Sequence, residues 1–305
     1  MCIRDRRCSN GQRGGLHGRA VLKPVILGVS GLRLLAEERA LLRAHRPRGV
    51  ILFGRNIENP SQLAELTAEL CEALPQGAVL MVDQEGGRVA RLRPPHWPPL
   101  GAAGELKTPE AAYVHGLALG AMVKSAGFDV VAAPVLDLRY PGASDVIGDR
   151  ALSHDPVVVA ALGAELARGI LAAGVIPVMK HIPGHGRALV DSHIALPRVS
   201  EADLSADFYP FEQCKNLPWA MTAHVIYEHY DPDYPATVSK KVIQTIIRGK
   251  IGFSGTLVSD DLAMHALSGT PAERAQAALA AGCDIALYCP GDMAGNTAVL
   301  EACNG

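Results

Sequence analysis

Two hydrophobic patterns alternate along the chain from Pro24 onward. Short runs rich in valine and isoleucine are typical of strands buried in a parallel sheet, and longer alanine- and leucine-rich stretches are typical of helices. Asn59 and Pro60 place a capping residue and a first-turn proline before one such stretch, and Thr-Pro or Asp-Pro pairs precede others. The runs that predict strands are 24–29, 49–53, 78–82, 130–136, 175–180, 218–223, 256–259 and 284–288.

Eight strand and helix units in one chain predict an α/β fold, a (β/α)8 barrel of the TIM type, for which about 250 residues suffice. A doubly wound open sheet is the alternative, but the Gly-Val-Ser-Gly that follows the first strand lacks the GxGxxG pattern of dinucleotide-binding sheets. We therefore expect a single catalytic domain over residues 21–305, with a long mobile loop after strand 5.

The two ends of the chain depart from this pattern. Residues 1–20 carry five arginines against one aspartate and no apolar segment, which predicts a disordered leader rather than a secretory signal. Residues 292–305 predict one short helix at most, so the barrel is expected to lack its last helical segment.

Composition limits the classes of function. The chain has 305 residues, of which 49% are hydrophobic and 20% charged, and its net charge is −2, so it has no general attraction for nucleic acid or an anionic membrane. The seven cysteines are scattered without a CxxC pair, which argues against a disulfide scaffold and a zinc ribbon and favours a reducing compartment. We expect a cytoplasmic protein.

Titratable side chains follow five successive predicted strands. These are Asp83, Asp137, Lys180, His181, His224, Asp260 and Asp261. Because the carboxyl ends of barrel strands meet at one rim, we expect these side chains to share a site.

The segment 180–197 concentrates chemistry in a short stretch, with three histidines, one lysine and one aspartate. Its proline and two glycines exclude a regular helix, so we expect a long loop. Asp191 and His193 lie two residues apart, which places both side chains on one side of an extended segment. A carboxylate beside an imidazole makes a proton carrier that works near neutral pH.

At this point the sequence resembles a known family. The stretches that carry the resemblance are KHIPGHG followed by DSH, VDQEGGRVARL and LVSDDLAM, together with GVILFGRNIENPSQL, IGDRALSHDP and AGCDIALYCPGD. In this order and spacing they resemble the family 3 glycoside hydrolases, and within them the bacterial single-domain β-N-acetylhexosaminidases of cell-wall recycling. The resemblance covers roughly residues 24–292.

The resemblance implies roles for particular residues. Asp260 matches the catalytic nucleophile of a retaining mechanism, His193 matches the general acid/base, and Asp191 matches its partner. The residues that match those holding the terminal N-acetylglucosamine are Asp83, Arg91, Arg150, Lys180 and His181. The implied activity is hydrolysis of the β-1,4 link of N-acetylglucosaminyl-anhydromuramic-acid muropeptides. The implied partner is this small carbohydrate, with no nucleic acid, no membrane, no cofactor and no metal, and we expect a monomer.

Other functions remain as alternatives. A β-glucosidase or β-xylosidase of the same family, and a non-catalytic sugar-binding homologue, would share most of these motifs. A zinc hydrolase is another alternative, and the HExxH pattern is missing; the ligand types are present in His181, His185, His193, His224 and Asp260. A Schiff-base lyase would use Lys180 at the end of its strand.

Three further polar residues receive supporting roles. Glu85 precedes two glycines, which indicates a tight turn in which its carboxylate caps backbone amides. Asp137 is expected to support the site through hydrogen bonds, and His224 to lie in the binding site or directly behind it.

Overall fold

The computed structural model describes residues 21–190, 192 and 195–303. The predicted leader of residues 1–20 lies outside the described residues, and so do Asp191 and His193 of the predicted acid/base pair. Within the described ranges, none of the helices is long and apolar enough to cross a bilayer.

Strands and helices alternate along the chain, as the hydrophobic pattern predicts. The strands are β1 (Lys23–Gly28), β2 (Pro47–Leu52), β3 (Val79–Val82), β4 (Val130–Val131), β5 (Ile176–Ile182), β6 (Arg198–Val199), β7 (Trp219–Thr222), β8 (Ile226–Tyr227), β9 (Thr256–Val258) and β10 (Ala286–Tyr288). The helices are α1 (Ala36–His45), α2 (Pro60–Ala73), α3 (Pro109–Ser125), α4 (Pro156–Ala172), α5 (Ser205–Gln213), α6 (Lys240–Val242), α7 (Pro271–Ala281) and α8 (Met293–Ala302). α6 continues directly into a π-helical segment, Ile243–Lys250.

Eight of the strands form one parallel sheet in the order β10-β1-β2-β3-β4-β5-β7-β9. A parallel bridge between Val258, at the end of β9, and Ile285, just before β10, brings the two edge strands together. The sheet is therefore a nearly closed barrel with helices around it, and the (β/α)8 prediction is confirmed. β6 and β8 pair separately above it.

Alternate residues of the barrel strands belong to two separate cores. In β1, Ile26 faces the interior of the barrel, while its neighbours Val25 and Leu27 pack against the surrounding helices. The large side chains of the interior are Ile26, Ile51, Met81, Val130, Val178, Trp219, Met221, Val258, Ile285 and Leu287. Because these side chains fill the barrel, a ligand has room only at its rim.

Helix starts follow the capping pairs in the sequence. The side chain of Asn59 accepts a hydrogen bond from the Gln62 amide at 3.0 Å, and Asp155 accepts one from the Val157 amide at 2.8 Å. A cap of this kind stabilises a helix by about 1 kcal/mol. These contacts fix where α2 and α4 begin and how the loops before them approach the rim.

Two strands differ from their predicted bounds. The fourth strand, predicted over 130–136, pairs regularly only at Val130–Val131, because Pro134 has no N–H to donate to a neighbouring strand. A single bridge between Val135 and Lys180 resumes the pairing. The fifth strand continues through Ile182, so Lys180 and His181 lie within β5 rather than after it.

The end of the chain packs against its beginning. α8 is the one short helix that the sequence predicts after the last strand, and its Val299 and Leu300 side chains are buried. The Lys23 ammonium donates to the Leu300 carbonyl at 2.6 Å, which ties α8 to β1.

Candidate active site

A pocket with a volume of about 140 Å³ lies at the carboxyl-terminal rim of the barrel and opens to solvent. Its floor is apolar and includes Ile51, Met221 and Leu287. Its walls hold six of the eight predicted site residues, which are Asp83, Arg91, Arg150, Lys180, His181 and Asp260. These six residues come from four separate segments of the chain and meet at one rim, where barrel enzymes place their active sites.

Buried carboxylates and cations alternate along one wall of this pocket. The Lys180 ammonium lies 2.8 Å from Asp83 Oδ1 and 2.5 Å from Glu85 Oε1. Arg150 donates to Glu85 through Nε at 2.9 Å and Nη2 at 2.8 Å, and Arg91 Nη2 donates to Asp83 at 2.7 Å. Three cations face two carboxylates, so the wall keeps both donors and acceptors for sugar hydroxyls.

These groups stay charged despite their burial. Burial alone would raise the pKa of Asp83 and of Glu85, but the neighbouring cations, Lys180 foremost, outweigh it and hold both pKa values below their ordinary range. Burial also opposes the charge on Lys180, and the two carboxylates outweigh it and raise the pKa of that amine. Neither carboxylate can therefore act as a proton donor at neutral pH.

One hydrogen-bond donor in the pocket wall is unsatisfied within the described part of the chain. The Nε of Arg91 is buried and has no hydrogen-bond partner among the described residues. A buried donor without a partner is costly, which favours a role for this group in holding a ligand.

Asp137 orients the two histidines of the next segment. It is completely buried, and its carboxylate lies 2.6 Å from Nδ1 of His181 and accepts the backbone N–H of His185 at 2.6 Å. Nδ1 of His181 is therefore the protonated nitrogen, which leaves Nε2 to face a ligand. Burial and the nearby His181 lower the pKa of His185 to about 4, so the His185 ring is uncharged at neutral pH.

Asp260 lies two residues beyond β9. Its backbone N–H donates to Thr222 Oγ1 at 3.2 Å, and its Oδ1 accepts the Asp261 N–H at 2.8 Å. Burial would raise the pKa of Asp260, but the rings of His224 and His181, the Asp261 amide and the Lys180 charge outweigh it, and the pKa lies below its ordinary value. An ionised carboxylate at the rim is the state that a nucleophile requires.

Asp261 has a different role from Asp260. Its Oδ1 accepts the backbone N–H groups of Ala263 at 3.0 Å and of Cys289 at 3.1 Å. Burial raises the pKa of this carboxyl. Asp261 thus holds the loop after β9 against the end of β10.

The first part of the loop after β5 is anchored on several sides. Tyr227 donates through its hydroxyl to the Gly184 carbonyl at 2.7 Å, and Arg187 Nε donates to Asp207 at 2.8 Å. The Arg187 guanidinium also lies 4.3 Å from the centre of the Tyr140 ring. These contacts fix the chain before Asp191 and His193, which lie outside the described residues.

Glu85 is the site residue that the sequence interpretation placed wrongly. Its carboxylate pairs with Arg150 and Lys180 instead of capping the glycine turn. Asp83 and Glu85 are two residues apart beyond β3, and this spacing, which puts both side chains on one side of an extended segment, was a usable signal. The structure places Asp137 in the supporting position expected for it.

Metal-ligating side chains do not gather in the described part of the chain. No group of three or more His, Cys, Asp or Glu side chains there could hold a metal ion. Of the candidates for a zinc site, the His181 ring is engaged with Asp137 at 2.6 Å, and Nε2 of the His185 ring lies 3.3 Å from Ser192 Oγ.

Comparison with known proteins identifies the family. Residues 22–304 match the glycosyl hydrolase family 3 N-terminal domain. The chain belongs to glycoside hydrolase family 3. A β-hexosaminidase from Aromatoleum aromaticum is 42% identical over 284 residues, which make up 88% of this chain and 79% of that protein. This glycoside hydrolase therefore shares nearly its whole barrel with that relative.

Solved structures of family 3 agree with the barrel. A β-N-acetylglucosaminidase from Paenibacillus superimposes with a TM-score of 0.85 at 34% identity and covers 92% of this chain, although the chain spans only 56% of that protein. NagZ from Neisseria gonorrhoeae, solved in complex with N-trifluoroacetyl-D-glucosamine, has a TM-score of 0.81 at 35% identity, with 88% of this chain and 81% of that one covered.

Proposed function

We propose that this family 3 hydrolase is a retaining exo-β-N-acetylglucosaminidase that releases N-acetylglucosamine from N-acetylglucosaminyl-anhydromuramic-acid muropeptides in the cytoplasm. The observation that carries the proposal is an ionised Asp260 at the rim of a pocket whose other wall is built from paired carboxylates and cations. The names of the relatives, β-hexosaminidase and NagZ, support the N-acetylated sugar as the substrate class.

The charged wall is suited to the hydroxyls of a terminal sugar. Asp83, Lys180 and Arg150 lie on the side of the pocket supplied by β3, β5 and the turn after β4. Carboxylates accept from hydroxyl groups and the guanidinium and ammonium groups donate to them, so the ring is held in one orientation with its anomeric carbon toward Asp260. Arg91 Nε, the unpartnered donor, completes this set.

The first chemical step forms a covalent intermediate. A carboxylate oxygen of Asp260 attacks the anomeric carbon while the bond to the leaving oxygen breaks, and His193 delivers a proton to that oxygen. In the second step His193 removes a proton from water, and the water oxygen displaces Asp260 from the same face that the leaving group occupied. Two inversions give net retention, and Asp191 stabilises the imidazolium form of His193 that precedes the first step and is formed again in the second.

Trapping the intermediate tests this assignment. A 5-fluoro N-acetylglucosaminyl fluoride should leave an adduct on Asp260 that mass spectrometry locates after proteolysis. Asp260→Ala should be folded and lose turnover by orders of magnitude, with Asp292→Ala, a helix-capping aspartate that does not line the pocket, as the control. Wild-type turnover in Asp260→Ala, or an adduct on another residue, would overturn the assignment.

Substrate class requires a separate comparison. The nitrophenyl β-glycosides of N-acetylglucosamine, glucose and xylose should be hydrolysed in a strong preference for the first. Incubation with the anhydromuramic-acid disaccharide should release N-acetylglucosamine, seen by mass spectrometry. Faster cleavage of the glucoside or xyloside would favour the family's other glycosidases.

A further inference from the structure

A chain of buried hydrogen bonds lies behind Asp260. Thr222 ends β7, His224 follows two residues later, and Thr237 sits in the turn 236–238. The three side chains are completely buried. Thr222 Oγ1 lies 2.7 Å from Thr237 Oγ1, which lies 2.7 Å from His224 Nδ1, and His224 Nε2 lies 2.9 Å from the Asp261 carbonyl oxygen.

With the His224 ring uncharged, the partners at the two ends fix the direction of each hydrogen bond, and the Ala223 carbonyl, 3.2 Å from Thr237 Oγ1, is the longer competing acceptor. The Asp261 carbonyl can only accept, so His224 carries its proton on Nε2 and its Nδ1 accepts from the Thr237 hydroxyl. The Thr237 oxygen then accepts from the Thr222 hydroxyl, and the Thr222 oxygen accepts the Asp260 N–H at 3.2 Å. Burial favours the uncharged ring that this arrangement needs, since it lowers the pKa of His224.

The two ends of the chain of bonds hold the two peptide units that flank the Asp260–Asp261 peptide. Thr222 holds the N–H of Asp260 and His224 holds the C=O of Asp261, and the peptide bond between these two residues lies in between. That peptide supplies the Asp261 N–H, which donates to Asp260 Oδ1 at 2.8 Å. The orientation of the carboxylate is therefore tied to the orientation of a peptide that β7 and the following turn hold in place.

We propose that His224 is a positioning residue for Asp260, acting through Thr237, Thr222 and the Asp260–Asp261 peptide. This inference rests on the proposed role of Asp260 as the nucleophile. A nucleophile must lie about 3–3.5 Å from the carbon that it attacks, and a displacement of about 1 Å costs on the order of 100-fold in rate. The sugar-holding wall lies on β3 and β5, so losing this chain of hydrogen bonds should affect attack and leave sugar binding intact.

Thr237 offers the cleanest test. Thr237→Val keeps the shape of the side chain and removes its hydroxyl, whereas Thr237→Ser keeps the hydroxyl. With a dinitrophenyl N-acetylglucosaminide, whose leaving group needs no proton, formation of the glycosyl-enzyme reports attack by Asp260 alone. We expect this rate to fall about 10- to 100-fold in Thr237→Val, and to recover to within about threefold of wild type in Thr237→Ser.

Two further measurements separate positioning from a structural defect. The inhibition constant of N-acetylglucosamine should change by less than about twofold in Thr237→Val, because the binding wall is untouched. Thr67→Val, which removes a buried hydroxyl that donates to the Ala64 carbonyl within α2, is the matched control and should keep the wild-type rate. If Thr237→Val does not fold, Thr222→Val, which keeps the side-chain shape and removes the acceptor of the Asp260 N–H, takes its place with the same expectation.

The outcomes are decisive in both directions. An attack rate in Thr237→Val equal to that of Thr67→Val would overturn the proposal, and so would a loss of rate matched by an equal loss of inhibitor binding. These outcomes can be distinguished from a failure of the proposed function itself. If the proposed function were wrong, the wild-type protein would leave nitrophenyl N-acetylglucosaminide intact, or Asp260→Ala would remain active.

Discussion

Replacing Glu85 by glutamine would remove one buried charge and leave the side-chain volume nearly unchanged. Glu85 is 6% exposed and pairs with Lys180, which is 3% exposed, and with Arg150. After the change Lys180 keeps Asp83 at 2.8 Å, and Arg150 keeps the Val146 carbonyl, a neutral acceptor, at 2.9 Å. The guanidinium would then be buried without a directly paired carboxylate.

The cost follows from the desolvation of that charge. Removing one partner of a buried ion pair destabilises a protein by about 3–5 kcal/mol. We expect the lower end, about 3 kcal/mol, because the glutamine oxygen still accepts one hydrogen bond and Lys180 keeps a carboxylate. Each kcal/mol lowers the melting temperature of a domain this large by about 2–4 °C, so Glu85→Gln should melt about 6–12 °C below wild type.

Thermal unfolding at pH 7 measures this, with Glu165→Gln as the matched control. Glu165 also accepts from an arginine, Arg168, but the pair is exposed, and exposed pairs contribute only about 0–1 kcal/mol. The KM for nitrophenyl N-acetylglucosaminide should rise more in Glu85→Gln than kcat falls, since Lys180 and Arg150 lose their shared anchor. Equal melting temperatures for the two variants would refute the reasoning.

The same residue gives a pH dependence with a definite sign. The pKa of Glu85 in the folded protein lies below the ordinary value of 4.5, because Lys180 and Arg150 outweigh the effect of burial. Its stabilisation is therefore complete above pH 4.5 and is lost as the pH falls through the lower folded pKa. The difference in melting temperature between wild type and Glu85→Gln should shrink below pH 4.5 and persist from there to neutral pH.

Asp191→Ala should lower turnover and shift the limb of the pH–rate profile that reports the acid/base group, and an unshifted profile would contradict its pairing with His193. Arg91→Lys should raise KM about tenfold and nearly keep kcat. The guanidinium of arginine bonds Asp83 through Nη2 and leaves Nε for a ligand, and lysine lacks this second donor. An unchanged KM in steady-state kinetics would count against that role. Treatment with EDTA should leave activity unchanged, since the proposed double displacement uses only Asp260 and the His193 and Asp191 pair, and a loss that zinc restores would reverse this view.

The hydrophobic pattern was sufficient to predict the barrel. Valine- and isoleucine-rich runs overlap all eight barrel strands, because a strand covered by helices on one side and by the interior on the other must be apolar throughout. Capping pairs such as Asn59-Pro60 located helix starts, because their effect is local. The shortened β4 was visible in principle through Pro134, whose missing N–H stops the ladder.

The residues of the candidate site were largely predictable from the sequence, but the hydrogen bonds and ion pairs between them were less so. Lys180, His181 and Asp260 could be placed at one rim because parallel strands end together. Glu85 pairs with Arg150, 65 residues away in the sequence. These two segments come together only in the folded barrel, so the sequence does not show that they pair. The contact of His224 with the Asp261 carbonyl was equally unpredictable. The acceptor is a backbone oxygen 37 residues away, and a backbone acceptor is not visible in a pattern of side-chain types.

The paired charges of the pocket wall also join parts of the barrel that would otherwise meet only at their backbones. Lys180 in β5 forms ion pairs with both Asp83 and Glu85 in the segment after β3. Arg150, in the turn after β4, pairs with Glu85 and so belongs to the same cluster. In the proposed function, substrate recognition and resistance to unfolding therefore depend on the same atoms. An evolutionary path to a different sugar cannot readily begin by exchanging these residues, because each exchange would cost about 3–5 kcal/mol of stability. The route left open runs through the surrounding loops, which can be rebuilt while the cluster stays intact.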